Sequence, residues 1–495
     1  MRYTAAGTAQ VFHLIPLHQT ERAVQLPILF AKVRKYVDSR RTKVEKTTNN
    51  YAKIVICKYF CIFAPMNTCF MIAAPTSGSG KTTIARGLMA LFASKGNRVQ
   101  PFKCGPDYID TKFHERVCER PSINLDSFMA SEEHVKELFA YYGKDADICV
   151  VEGMMGLYDG YDRDRGSSAE IARILGIPVV FVVDAKSAAY SMAPLLYGFT
   201  HFTSTNASHL PPLNIAGVIF NKVGSEQHYR LLKQVCDDLN ITCFGYLPKQ
   251  VSLEQSSRYL GLDFSKKAEN HELVHLLEEH VRWEALEELF ISTLGTFCSH
   301  TGNTSFPYWD SSVLIARNSE AFSFVYQEVL DSFSSVCFFD PETEVPSLKG
   351  INLLYLPGGY PEKHLEALVR NEACRKSIKE YAEKGGRIIA ECGGMMYLCE
   401  TIVTDEGEWP MCGVLPYSIT ARKADRKLSL GYRQFVIDGK EYRGHEFHYT
   451  QFLGEKPKSI TQVFNAKGEP VETPVIRHHH VFASYTHLYN IQFTV

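Results

Sequence analysis

Phe70-Met71-Ile72-Ala73-Ala74-Pro75-Thr76-Ser77-Gly78-Ser79-Gly80-Lys81-Thr82-Thr83 runs from four apolar residues into a glycine-rich turn. Phe70–Ala73 predicts a short buried strand, and Ile84–Ser94 beyond the turn carries a helical pattern. A turn of this kind points backbone N–H groups at an anion, and the dipole of the following helix adds to the attraction. Gly78, Ser79, Gly80, Lys81, Thr82 and Thr83 are therefore candidates to hold the phosphates of a nucleotide. Lys81 would reach the β/γ-phosphates and the Thr82 hydroxyl would ligate Mg²⁺. Pro75 stands where the full G-x-x-x-x-G-K-[ST] pattern has its first glycine, so the strand–turn–helix context carries the assignment.

Further apolar strands are predicted at Val99–Lys103, Ile148–Val151, Pro178–Val183 and Ile215–Phe220, separated by helical segments such as Ser131–Tyr141 and Glu226–Leu239. Strands alternating with helices imply an α/β fold with a doubly wound parallel sheet, whose ligands sit at the carboxyl ends of the strands. Those ends carry Asp107 and Asp110, then Glu152, then Asp184, then Asn221. Mg²⁺ between phosphates needs hard oxygen ligands, and one or two carboxylates suffice. Asp107 and Glu152 are the candidates beside Thr82, whereas Asp110 and Asp184 read equally well as caps of a turn or helix.

The rest of the chain sets bounds on this reading. Its 495 residues suggest about three domains or two large ones at ~150 residues each. With 45% hydrophobic and 22% charged residues the composition is that of an ordinary globular protein. A net charge of −2 excludes a broadly basic nucleic-acid coat. No apolar run approaches the ~18–20 residues needed to span a bilayer. The 14 cysteines are scattered without a CxxC pair, and His478-His479-His480 lacks zinc-ligand spacing, so mostly free thiols in a reducing cytoplasm are expected. Residues 1–65 stand apart, with eleven Lys/Arg against three Asp/Glu, while residues 66–495 carry a net −10. That segment does not read as a signal peptide; its few acids allow a transit peptide, though serine is not abundant, and the expectation is a start placed too far upstream, with Met66 as the functional start.

A polar stretch at 299–310 reads as a linker between a first domain at 66–298 and a second at 311–495. In the second, strands are predicted at Val313–Ala316, Ile351–Leu356 and Arg387–Ala390. The last leads into Glu391-Cys392-Gly393-Gly394 and a helical Met395–Glu400. A cysteine on a sharp strand-to-helix turn is exposed at the sheet rim, and a helix N-terminus is expected to lower its pKa. Leu356-Pro357-Gly358-Gly359-Tyr360-Pro361-Glu362 places a second glycine turn at a neighbouring strand end, where N–H groups could form an oxyanion hole. A base is available from His445, His448 or His487.

Taken in order, Ser77–Thr83, Phe102-Lys103-Cys104-Gly105-Pro106-Asp107-Tyr108-Ile109-Asp110, Asn124-Leu125-Asp126-Ser127-Phe128-Met129 and Glu152-Gly153-Met154-Met155-Gly156-Leu157-Tyr158-Asp159-Gly160 resemble the cobyrinate a,c-diamide synthases. These are cobalamin-pathway amidotransferases related to dethiobiotin synthetase, and the Cys392 and Gly358 turns resemble their class I glutamine amidotransferase domain. The likeness runs from about residue 68 to the C-terminus. It implies a carbon–nitrogen ligase using ATP, Mg²⁺ and glutamine on a corrinoid, cobyrinate. Cys392 would be the glutaminase nucleophile, and His487 its base, with His448 as the fallback. Asp107, Glu152 and Asp159 would line the synthetase site, Asn221 would lie at the adenine edge, and Tyr108 and Asp110 would face the macrocycle or pack. A homodimer is compatible with the resemblance. Two departures stand out: Tyr489 where class I triads have a Glu, and Asn318 where the family tends to have Asp, for which a local effect on the interface is expected. Hydrogenobyrinate, nickel sirohydrochlorin or a cobyric acid synthase-like reaction are the alternatives within the chemistry. A partition-type ATPase switch is the remote one, disfavoured by Thr76 in place of that group's second lysine. Removal of residues 1–65 is expected to leave activity intact, checked by assaying the truncated chain beside the full one; failure of the shorter chain to fold would contradict it.

Overall fold

The strand at the head of the glycine turn, Thr68–Ala73 (β1), is buried on both faces: Cys69, Met71 and Ala73 enter one apolar core and Phe70 and Ile72 the other. A strand covered on both sides must be apolar at every position, which is why it reads as an unbroken hydrophobic run. The computed structural model describes residues 68–204, 209–249, 268–289 and 309–489. Within it β1 is followed by β2 (Val99–Cys104), β3 (Ile123–Leu125), β4 (Ile148–Glu152), β5 (Val179–Asp184), β6 (Ile215–Val223) and β7 (Cys243–Pro248). These form a seven-stranded sheet in the order β3-β2-β4-β1-β5-β6-β7. Every pair in it is parallel. Helices α1 (Lys81–Ser94) and α2 (Asp110–Cys118) follow β1 and β2, and α3 (Glu132–Gly143) follows β3. The doubly wound sheet expected from the alternation is present. Two of its strands, β3 and β7, were not anticipated: the first has three residues, and the second is interrupted by Gly245.

The second half opens with β8 (Trp309–Ala316), so residues 309 and 310 of the expected linker belong to a strand, and 299–308 lie outside the described residues, as do residues 1–67. Then come β9 (Phe333–Phe339), β10 (Leu353–Leu356) and β11 (Ile388–Glu391). With Val481–Ser484 and Val475–His478 they form a six-stranded sheet, parallel except for its last pair. An antiparallel hairpin of Ser429–Ile437 and Lys440–His448 leads a separate five-stranded sheet, which also takes in the short strand His487–Leu488.

The two halves share no sheet, yet residues 65–495 pack as one compact unit. The core on one face of the first sheet continues through Tyr326, Val329, Phe333, Tyr432 and Tyr489 of the second half. The segment Asn124–Met129 is the seam. Tyr432 donates to Asp126 Oδ2 at 2.6 Å, Tyr489 to the Asn124 carbonyl at 3.1 Å, and Arg443 to the Phe128 carbonyl at 3.0 Å. Asp126 also accepts the N–H groups of Phe128 and Met129 through Oδ1, both at 2.8 Å, so one buried carboxylate shapes its own turn and holds the partner half. The eleven cysteines among the described residues are free, and no helix among those residues is long and apolar enough to cross a membrane. Tyr432→Phe is expected to lower the unfolding free energy by about 1.5–3 kcal/mol, the usual worth of a buried bond to a charged group. Denaturant titration checks this, and an unchanged midpoint contradicts it.

Candidate active site

The glycine turn after β1 is left-handed at Gly78 (φ 80°) and Gly80 (φ 96°). A side chain at Gly80 would also strike Asn221, since a Cβ there would lie 2.1 Å from its Nδ2. Asn221 donates through that atom to the Ser79 carbonyl at 2.9 Å and accepts the Lys222 N–H on Oδ1. Asn221, expected at the adenine edge, braces the loop. Ser79 donates to the Thr76 carbonyl, and Thr82 and Thr83 lie half-buried in the first turn of α1. Buried Lys81 donates from Nζ to the carbonyl of Met155, inside the Glu152–Gly160 segment. That segment is itself pinned to the β1 end: Gly153 and Leu157 donate to the carbonyls of Ile72 and Ala74. Asp159 Oδ2 accepts the Gly156 N–H at 2.9 Å, so Asp159 shapes the loop that faces Lys81 and is itself exposed.

At the ends of β2 and β4 lies a cluster whose centre the sequence reading passed over. Lys103, 1% exposed, places Nζ 2.7 Å from Asp110 Oδ2, 2.9 Å from Glu152 Oε1 and 4.0 Å from Asp107 Oδ2. Thr82 donates to Glu152 Oε1 at 2.6 Å and lies 3.4 Å from Asp110 Oδ2. His114 Nε2 lies 2.7 Å from Glu152 Oε2, and its Nδ1 3.0 Å from Ser122 Oγ. Burial opposes the Lys103 charge, but Asp110, Glu152 and Asp107 outweigh it and the ammonium is held well above its ordinary pKa. For Glu152 burial is likewise outweighed, chiefly by Lys103, and its carboxyl lies well below the usual range. Asp110 goes the other way: burial, then the charge of Asp107, pushes it up to about 6.

The two aspartates have different neighbours. Asp107 Oδ1 accepts the N–H groups of Ile109 and Asp110, both at 2.9 Å, so it is the carboxylate that caps the turn. Asp110, one turn into the same feature, is the one beside Thr82. A hydroxyl and two carboxylates, Thr82, Glu152 and Asp110, therefore converge as hard oxygen donors. Among the described residues no three His, Cys, Asp or Glu side chains form a cage of their own. Mg²⁺ takes one or two carboxylates and fills its remaining positions with phosphate oxygens and water, and the donor types of these three side chains suit it.

On the second sheet Cys392 takes φ 45°, ψ −108°, a conformation costly for a residue with a side chain and typical of a nucleophile turn. Its N–H donates to the Ser484 carbonyl at 2.8 Å, tying it to the strand that leads to His487. The carboxylate next to the cysteine secures that connection: Leu488 N donates to Glu391 Oε1 at 3.2 Å, and Tyr355 donates to Oε2 at 2.8 Å. His487 is 1% exposed, and its ring lies so close to Gly358 that a Cβ there would meet Cε1 at 2.0 Å. The Leu356–Glu362 turn, the cysteine turn and the imidazole are therefore assembled together. Burial pushes His487 down to about 3, and its Nδ1 has no hydrogen-bond partner. His448 is engaged at both nitrogens, with Glu446 Oε1 at 2.6 Å and the Thr450 carbonyl at 2.8 Å, and its ring stacks 3.6 Å from that of Tyr485. The expectation of an acidified thiol is overturned. Cys392 is 4% exposed, and burial, then the charge of Glu362, holds its pKa well above the ordinary value, outweighing a helix of only six residues, Gly393–Leu398.

Among the described residues no acidic side chain bonds to His487 Nδ1, although the charge of Glu446 reaches the ring, and the hydroxyl of Tyr489, at the third triad position, crosses to Asn124. The imidazole is held by packing: Tyr108 lies 5.3 Å away and Phe324 6.1 Å, centroid to centroid, and Tyr108 stacks in turn on Phe324 and Tyr326. Tyr108 sits between Asp107 and Asp110, so one turn touches both sites. Asn318 holds the loop at 318–322, accepting the Phe322 N–H at 2.9 Å and donating to Glu342 at 2.7 Å.

Family models match the two halves separately. The CobQ/CobB/MinD/ParA nucleotide binding domain covers residues 70–260, and the CobB/CobQ-like glutamine amidotransferase domain covers 318–493. A protein of Caldanaerobacter subterraneus named cobyrinate a,c-diamide synthase is 38% identical over 85% of this chain and 94% of its own length. One of the same name from Listeria monocytogenes is 36% identical over 85% of this chain and 96% of its own length. A Mycobacterium tuberculosis protein named hydrogenobyrinate a,c-diamide synthase is 34% identical over 84% and 93%. The order of the motifs, the two sheets and this near full-length similarity agree, and the chain belongs to the cobyrinate and hydrogenobyrinate a,c-diamide synthase family.

Proposed function

We propose that this chain is an ATP- and glutamine-dependent ligase that converts the a and c acetate carboxylates of cobyrinate to amides. The observation that carries it is the turn Asp107–Asp110, which places Asp110 beside Thr82 and Glu152 and, two residues earlier, Tyr108 against His487. A ligase that makes ammonia at one site and uses it at another requires such a shared element.

In the first half, an acetate oxygen of the corrinoid attacks the γ-phosphorus of ATP, the bond to ADP breaks, and an acyl phosphate forms. Lys81 stabilises negative charge on the transferring group, and the N–H groups of Gly78–Thr83 cradle the phosphates. Thr82, Glu152 and Asp110 would hold Mg²⁺, which supplies charge neutralisation between the phosphates when bound. Lys103 offsets the charge of those carboxylates at close range, Asp107 and Asp159 fix the turns around them, and Asn221 holds the phosphate loop. In the second half Cys392 Sγ attacks the glutamine amide carbon. His487, neutral at physiological pH, accepts the thiol proton and passes it to the leaving ammonia, and water then hydrolyses the thioester to glutamate. Ammonia displaces phosphate from the acyl phosphate, leaving the amide. Cytoplasmic operation is the reading that a biosynthetic reaction using ATP and glutamine supports.

Mass spectrometry of cobyrinic acid incubated with the chain, ATP, Mg²⁺ and glutamine is expected to show two carboxyl-to-amide changes at the a and c acetates. Conversion of hydrogenobyrinate or nickel sirohydrochlorin alone would replace the substrate, and conversion of none would remove the reaction. Cys392→Ala is expected to lose glutamine-driven and keep ammonia-driven amidation; equal loss of both contradicts the division of labour. Because the thiol is raised and the imidazole is lowered, the resting site holds neither thiolate nor imidazolium at pH 7. Alkylation of Cys392 by iodoacetamide, followed by peptide mapping, is expected to be slow at pH 7 and to accelerate only in alkaline solution. Rapid, pH-independent labelling from pH 6 to 9 would contradict that.

A further inference from the structure

Beside the shared turn, a cavity of ≈ 370 Å³ opens along α2, between it and the loops that follow β8. Tyr108 and Thr111 stand among its walls, as do Lys112, Arg116 and Arg317. Against these three cations it has one carboxylate, Glu115, and its other polar groups are neutral amides and hydroxyls such as Asn124, Asn318 and Ser319. A second cavity, of ≈ 580 Å³, shares Arg317, Gln327 and Leu330 with the first and continues over Tyr141, Tyr142, Phe333 and Phe338. Its one acid, Asp331, already accepts from Tyr142 at 2.6 Å and Gln327 at 2.8 Å. The result is a groove, cationic near the catalytic turn and aromatic further out.

The cations are set on apolar supports. Arg317 lies over the Phe338 ring at 4.7 Å, and Lys112 lies 5.5 Å from the Phe324 centroid while donating to the Ser319 carbonyl at 3.3 Å. α2 begins at Asp110, beside Thr82, and Tyr108 of the same turn is one of the cavity's walls.

We infer that this interdomain groove binds the tetrapyrrole substrate, with Lys112, Arg116 and Arg317 pairing with rim carboxylates that are not being amidated and the Tyr142–Phe338 side covering the apolar ring. The inference rests on the proposed function. It adds a reason why a substrate with many equivalent acids presents a chosen few to Glu152 and Thr82: the others are held by charge at fixed points along α2. Guanidinium–carboxylate pairs are the strong members of the hydrogen-bond series and are geometrically selective.

The test is equilibrium binding of cobyrinic acid, followed by its visible absorbance, to the full chain and to Lys112→Gln, Arg116→Gln and Arg317→Gln. Each is a substitution at a half-buried or exposed position. Kd is expected to rise about 10-fold for Arg317→Gln, which faces both cavities, with partial recovery in Arg317→Lys. A corrinoid whose side-chain carboxylates are all amides is expected to bind more weakly than cobyrinic acid and with the same Kd to wild type and variants. The KM for ATP in ammonia-driven turnover controls for folding. Kd values for cobyrinic acid within about 2-fold of wild type in all three variants would overturn the groove assignment. Tight, charge-dependent binding without any amidation by the wild-type chain would keep the groove and remove the proposed reaction.

Discussion

Lys103 is the point on which the site depends. Three carboxylates from two chain segments close around one buried ammonium, and without it their mutual repulsion in a poorly hydrated space would drive them apart or protonate them. The lysine joins the end of β2 to the end of β4 and to the first turn of α2, which is the framework that any phosphoryl-transfer chemistry here needs. The arrangement is anionic overall around Thr82, as a site for a divalent cation should be. It is also asymmetric: Glu152 is firmly ionised, whereas Asp110 is pushed up to about 6, so only one of the two carboxylates beside Thr82 is committed to its charge at mildly acidic pH.

Pinning Asp107 and Asp110 also fixes what lies between them. Tyr108 is delivered into the seam, where it stacks with Phe324 and Tyr326 and closes on His487. Among the described residues no carboxylate bonds to the imidazole of the second site, and aromatic packing contributed in part from the first half holds it. The seam is reinforced by Asp126 and Tyr432, so Asn124–Met129, quoted at first as one motif among several, is the docking strip for the amidotransferase half. The geometry of each site is in this way set partly by the other half of the chain.

Much of this was legible in the residues. The glycine turn, the alternation of strands and helices, Cys392 on its elbow and Gly358 beside it follow from local patterns, and the structure has these turns, with Cys392 buried instead of exposed at the rim. What stayed hidden required tertiary neighbours. Lys103 ends an apolar strand next to a cysteine, where a lysine ordinarily snorkels to solvent; only the pairing of β2 with β4 reveals Glu152 beside it. Asp107 and Asp110 are three residues apart and chemically identical, so the choice between cap and ligand partner depended on the direction of α2. His114 lies on the same face of α2 as Asp110, four residues on, a spacing that could have flagged it. The thiol of Cys392 was misjudged because a helix dipole is a local, readable feature, whereas complete burial is not.

The central claim is that the two halves work as one enzyme, with nitrogen passing through the seam from Cys392 to the acyl phosphate. The direct measurement supplies glutamine carrying ¹⁵N in its amide together with an equal concentration of unlabelled ammonium, and reads the isotope in the amidated corrinoid. The account expects the new amides to carry ¹⁵N almost without dilution. Label diluted to its share of the mixed ammonia pool would show that nitrogen leaves the protein between the sites, and would contradict it.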